Sequence, residues 1–109
     1  FASLSARVGS IGDNRLGGWY AYRASKAAQN QLLRTLAVEW KRTHPRACVL
    51  LLHPGTVDTP LSRPFQANVP EDKLFTTEHA ARQLLDIVAG TTPAQSGSFL
   101  AWDGSEIAW

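Results

Sequence analysis

Two side chains four residues apart could do acid–base chemistry: Tyr22 and Lys26, in the run Tyr22-Arg23-Ala24-Ser25-Lys26. On a helix that spacing puts both on one face, one turn apart. A free phenol titrates near pH ~10 and is a poor base at neutrality. A neighbouring ammonium favours the phenolate, so Lys26 would ready Tyr22 for proton transfer. Tyr20 lacks such a partner, because the residue four places on is Ala24. Alone, the pair is also what an ordinary solvated helix face can show. A second cluster is Pro54-Gly55-Thr56-Val57-Asp58-Thr59, which follows the apolar run Ala47-Cys48-Val49-Leu50-Leu51-Leu52. Alone, Pro54-Gly55 reads as a plain turn. His44 and His79 have no Cys, His or carboxylate cluster around them, so no metal site is expected. His53 reads as a hydrogen-bonded structural histidine, and Cys48 as inert core.

These groups need elements to hold them. Residues 1–7 read as the end of a strand. Residues 8–18 carry Gly9, Gly12, Asp13, Asn14, Gly17 and Gly18, which is loop chemistry. Nothing breaks a helix across residues 19–44. Ala24, Ala27, Ala28, Leu32, Leu33, Leu36, Ala37 and Trp40 give that helix a broad apolar face, and Pro45 stops it. The run 47–52 has strand length and is apolar on both faces, as in a parallel sheet covered on both sides. Residues 53–70 form a loop with four prolines: Pro54, Pro60, Pro64 and Pro70. A second helix is expected over 77–89, capped by Thr76 or Thr77, and a last strand over 98–102. Asp103-Gly104 turns the chain into a short tail. The order β-loop-α-β-loop-α-β is that of an α/β, Rossmann-like doubly wound parallel sheet, and only half of one.

Composition agrees. In 109 residues, 44% are hydrophobic and 18% charged, which is globular rather than disordered. Net charge is +2 with no basic run, which argues against nucleic acid as a partner. One cysteine excludes an internal disulfide. No signal peptide and no bilayer-spanning run is visible, so a cytoplasmic protein with no membrane partner is expected. The chain has no Met and begins at Phe1. It is therefore expected to be a piece of a longer protein: residues 1–109 as the C-terminal portion of one domain whose N-terminal half lies elsewhere.

Taken together, the Tyr-x-x-x-Lys helix, the buried strand and the Pro-Gly-x-x-x-Thr loop resemble the short-chain dehydrogenase/reductase family. The resemblance covers the whole chain. Ser5-Ala6-Arg7-Val8-Gly9-Ser10-Ile11 and Gly17-Gly18-Trp19-Tyr20-Ala21-Tyr22-Arg23-Ala24-Ser25-Lys26 look most like its C-factor and sniffer-type carbonyl reductase branch. The resemblance implies an NAD(P)-dependent enzyme in which Tyr22 exchanges a proton with a carbonyl or alcohol oxygen. Lys26 would also hydrogen-bond the nicotinamide ribose. Pro54, Gly55, Val57 and Thr59 would wrap the nicotinamide, the Val57 backbone meeting its carboxamide.

The family's polarising serine is less plain. Its pattern is Ser-Ser-x-x-Gly, and counting back from Gly9 the second serine's column holds Ala6. Ser5 is one place early and Ser10 four places late. Ser5, Ser10 or neither could serve, and Ser5 is the residue selected. Leu61 and Phe65 suggest an apolar substrate wall. No Gly-x-Gly-x-x-Gly-like phosphate turn occurs in these residues, so the choice between NAD and NADP is not readable. The expected partner is a small carbonyl or alcohol compound, and any homo-oligomer would form through the 19–44 helix. The alternative is a non-catalytic interaction or signalling protein of the same fold. An epimerase or dehydratase ranks last, because the tail after Trp102 is too short for a larger substrate domain.

Overall fold

A computed structural model describes all residues, 1–109. Its sheet has three parallel strands in the order β1 (Ala2–Leu4), β2 (Leu50–His53), β5 (Ser98–Ala101). Ser3 lies opposite Leu51, and Leu51 opposite Phe99. Alternation along β2 sends Leu51 to one face and Leu50 and Leu52 to the other. Leu51, Phe99, Ala101 and Ile107 pack together with Leu33 of helix α1 (Tyr20–Thr43). Leu50, Leu52 and Leu100 pack with Cys48 and with Leu84 and Ile87 of helix α2 (Thr77–Gly90). All three leucines of β2 are at most 2% exposed, each contributing roughly 1.5–3 kcal/mol on burial.

The helices therefore cover opposite faces of one sheet, the doubly wound arrangement. Both crossovers step the same way across the sheet, yet their helices lie on opposite sides. One of the two must be left-handed, against the strong right-handed preference of such connections. No helix is long and apolar enough to cross a membrane.

Four elements differ from expectation. The first strand ends at Leu4 rather than at residue 7, where the turn Arg7–Gly9 begins. The middle strand starts at Leu50 rather than at residue 47, because a turn ties Ala47 N–H to His44 O at 2.9 Å and Val49 N–H donates to Ser96 Oγ at 2.9 Å. The stretch 53–70 is not all loop: β3 (Thr56–Val57) pairs in parallel with β4 (Leu74–Phe75) as a second small sheet. The buried stripe of α1 is also narrower than its apolar residues suggest. Asn30 and Ala37 are buried, while Leu32 is 71% exposed. The second helix matches, with Thr76 Oγ1 accepting from His79 N–H at 3.2 Å as its N-cap. After β5 the tail folds back, Ile107 N–H donating to Phe99 O at 2.9 Å.

Candidate active site

A crossover helix runs opposite to the strands it joins, so the first turn of α1 lies at the carboxyl ends of β1 and β2. Ser5 follows β1 and Pro54 follows β2 at that same edge. Open parallel sheets bind their ligands there.

The entry to α1 is sharply defined. Gly17, Gly18 and Trp19 take left-handed backbone, at φ 67°, 73° and 52°. For Trp19 this is an uncommon conformation, since it carries a Cβ. The Arg23 guanidinium holds the loop from the helix side. It donates to Gly18 O at 2.9 Å, Gly17 O at 3.0 Å and Val8 O at 3.3 Å. Those bonds set the angle at which α1 leaves the loop, and with it the position of Tyr22. The Trp19 ring meets Phe65 edge-on, centroids 5.7 Å apart, which brings the segment after β3 against the start of α1.

Tyr22 and Lys26 do share a face. Lys26 Nζ lies 5.9 Å from the centroid of the half-exposed Tyr22 ring. The ammonium donates to Leu4 O at 3.4 Å and to Gln29 Oε1 at 3.1 Å. Gly9 lets the turn after β1 come up against this part of α1: a Cβ there would sit 2.7 Å from Lys26 Cβ and 2.9 Å from its carbonyl carbon. Only a glycine lets the turn Arg7–Gly9 lie against α1 at that point.

The two serines are not aimed at Tyr22. Ser5 is 5% exposed, and its hydroxyl donates to Asn30 Oδ1 at 2.5 Å on the underside of α1. Ser10 is also buried, its Oγ accepting from Asp13 N–H at 3.1 Å.

The loop after β2 is fixed by packing. Gly55 has φ +76°, and a Cβ there would come within 2.7 Å of Phe75 and 3.0 Å of Trp102. Ser62 Oγ donates to Val57 O and accepts from Thr59 N–H at 3.3 Å, so one hydroxyl gathers the loop that carries Val57 and Thr59. His53 Nδ1 accepts from Arg7 N–H at 3.3 Å, linking the end of β2 to the turn that follows β1. Burial and the nearby Arg7 charge lower its pKa from 6.5 to about 4, with Asp103 pulling weakly the other way. The imidazole is therefore neutral at pH 7, its proton on Nε2. No group of three or more His, Cys, Asp or Glu side chains is placed to hold a metal.

Arg23, Gln29, Asn30 and Ser62 escaped the sequence reading. Gln29 alone left a signal there: it stands three places after Lys26 and seven after Tyr22, on their face of the helix.

Known proteins share the fold and parts of the sequence. The family model described as short chain dehydrogenase matches residues 7–70, which include Tyr22, Lys26 and the 54–59 loop but not Ser5. The 1-hydroxy-2-glutathionyl-2-methyl-3-butene dehydrogenase of Rhodococcus sp. (strain AD45) is 41% identical over 97% of this chain and 45% of its own length. C-signal of Myxococcus xanthus is 35% identical over 99% of this chain and 60% of its own length. The NADPH-bound carbonyl reductase from chicken fatty liver superposes with TM-score 0.82 at 29% identity, over 99% of this chain and 42% of that one. Carbonyl reductase Sniffer of D. melanogaster gives 0.83 at 29%, over 99% and 40%. The chain thus spans about half the length of the curated relatives it matches. With a match over more than half its residues, and a parallel sheet that sets a Tyr-x-x-x-Lys helix at its carboxyl edge, the chain belongs to the short-chain dehydrogenase family.

Proposed function

We propose that residues 1–109 are the C-terminal portion of an NAD(P)-dependent oxidoreductase that interconverts a small carbonyl compound and its alcohol. One observation carries the reading: Tyr22 and Lys26 share the first turns of α1 at the carboxyl edge of the sheet. The residues fit a nicotinamide cofactor. The Lys26 ammonium has three donors and spends two within the chain, leaving one N–H for a ribose hydroxyl. Pro54, Gly55, Val57 and Thr59 line the same edge with a backbone that packing holds in place. When bound, the cofactor supplies or takes the hydride at the carbonyl carbon.

Tyr22 gives its phenolic proton to the carbonyl oxygen in reduction and takes it back in oxidation. Lys26 fixes the cofactor end nearest the reaction and stabilises negative charge on the phenol oxygen. The polarising hydroxyl we assign is Ser5. Its O–H must turn from Asn30 Oδ1 to the substrate oxygen, exchanging one acceptor for another. Ser10 is the alternative donor, and it would have to leave Asp13 N–H. Leu61 and Phe65, both more than half exposed, are the residues we assign to an apolar wall, with Phe65 against Trp19. Should copies of the protein associate, α1 is the surface we assign, through its exposed Leu32 and Val38.

A second reading is a non-catalytic interaction or signalling protein, favoured by the 35% identity to C-signal. The test separating the two is oxidation of NADPH and NADH by the full-length protein with a panel of aldehydes and ketones. Turnover with at least one member supports the oxidoreductase. Cofactor binding with no turnover across the panel favours the second reading.

A further inference from the structure

We propose that Gln29 is the positioning residue for Lys26. The inference rests on the reading of Tyr22 and Lys26 as the proton-transfer pair. Gln29 Nε2 donates to Ser3 Oγ at 2.8 Å and to Leu4 O at 2.9 Å, while its Oε1 accepts from Lys26 Nζ at 3.1 Å. The amide has one workable orientation. Its nitrogen faces a backbone carbonyl that can only accept, and its oxygen faces an ammonium that can only donate. Turning it over would set N–H against N–H at Lys26 and oxygen against oxygen at Leu4.

The anchoring points are on the sheet. Ser3 is paired with Leu51 in register, so its side chain lies on the face that α1 covers. Leu4 is the last residue of β1, and its carbonyl takes a hydrogen bond from both Gln29 and Lys26. Lys26, Gln29 and Leu4 O therefore close a ring of three hydrogen bonds, and a fourth ties Gln29 to Ser3. A lysine ammonium rides on a flexible four-carbon stem, and holding it in one place costs rotamer entropy. Gln29, itself tied to the strand at two points, supplies that order before any ligand arrives. Two of the three ammonium protons are thereby committed, and the third is left for the cofactor side of the site. A hydrophobic residue at position 29 would leave Nζ only the longer bond to Leu4 O.

The test uses the full-length protein and the variants Gln29→Leu, Gln29→Glu, Ser3→Ala, Lys26→Met and Gln29→Leu/Lys26→Met. Steady-state kinetics are measured with one accepted carbonyl substrate, and cofactor affinity by titration. A further readout, free of turnover, is the NMR order parameter of the Lys26 side chain without cofactor. In Gln29→Leu we expect kcat to fall about tenfold, cofactor affinity to weaken several-fold and carbonyl KM to hold within about twofold, with Lys26 visibly more mobile. Gln29→Glu keeps an oxygen for Nζ and can accept from the Ser3 hydroxyl, but it sets that second oxygen against Leu4 O, so it restores only part of kcat and of the Lys26 order. Ser3→Ala shows the same pattern at smaller size. With Lys26 already removed, Gln29→Leu adds nothing beyond about twofold. Wild-type kinetics and Lys26 order in Gln29→Leu would overturn the proposal, as would an equal loss with and without Lys26. Wild-type turnover in Lys26→Met would instead overturn the reading beneath it.

Discussion

His53 shows how one side chain can join two parts of the site. Its neutral ring accepts the Arg7 N–H, so the turn after β1 and the loop after β2 are held to each other through Nδ1. Protonating the ring would put a proton where the acceptor must be. The folded pKa is about 4 against 6.5 for a free imidazole, so between those values the unfolded chain binds a proton that the folded chain does not. The His53 contribution is therefore fully present above pH 6.5 and is lost as pH falls through 4. Denaturant titrations of the full-length protein from pH 7 to pH 4 should show that decline, and His53→Gln should flatten it. The serine assignment is also decided at this scale. If Ser5 turns from Asn30 to polarise the carbonyl, Ser5→Ala lowers turnover by roughly 10²–10³-fold and Ser10→Ala does not. The same Ser5 change leaves Asn30 Oδ1 buried without a donor beside an Nδ2 that already lacks a partner, and costs about 1–3 kcal/mol of stability. Lost stability with normal turnover would leave Ser5 as the partner of Asn30 and nothing more. Turnover lost only in Ser10→Ala would move the polarising role to Ser10.

At the scale of elements, long periodic segments were legible and short or polar ones were not. The apolar run around Leu50–Leu52 and the helices α1 and α2 follow from hydrophobic pattern and capping residues. The ladder of β3 and β4 is two residues long on each side, too short to carry any period. The buried stripe of α1 was misjudged because Asn30 replaces an apolar residue there, and only its partner Ser5 makes that burial affordable. The Tyr22–Lys26 face could be read from spacing alone, whereas Gln29 and Ser62 act through bonds to other segments that spacing does not encode. Two glycines test how tightly the elements are fitted. Gly9→Ala would drive a methyl into Lys26 and its backbone, pushing the Arg7–Gly9 turn off α1. Gly55→Ala adds a strained φ of +76° to a clash with Phe75. Each should cost about 1–3 kcal/mol in unfolding experiments. Gly90→Ala, where nothing lies within 4 Å, should cost nothing measurable and serves as the control.

On the scale of the whole molecule, the described residues hold the proposed proton-transfer pair and the loop proposed to meet the nicotinamide, but no glycine-rich phosphate turn. Strand β1 pairs only with β2, and Phe1 and Leu4 beside its free edge are 67% and 57% exposed. Isothermal titration of the isolated 109 residues with NADPH and with NADH should therefore detect no micromolar binding, and a clear micromolar isotherm would contradict this division of labour. The sheet's two crossovers are of opposite hand. This puts α1 on one face and α2 on the other, and the loop between β2 and α2 meets Trp19 through Phe65. All of this converges on the phenol of Tyr22. The decisive measurement is carbonyl reduction by the full-length protein with Tyr22→Phe, alongside cofactor titration of both proteins. Turnover should fall by roughly 10²-fold or more while cofactor affinity stays within a few-fold of wild type. Turnover close to wild type in the cofactor-bound phenylalanine variant would contradict the assignment of Tyr22 as the proton donor.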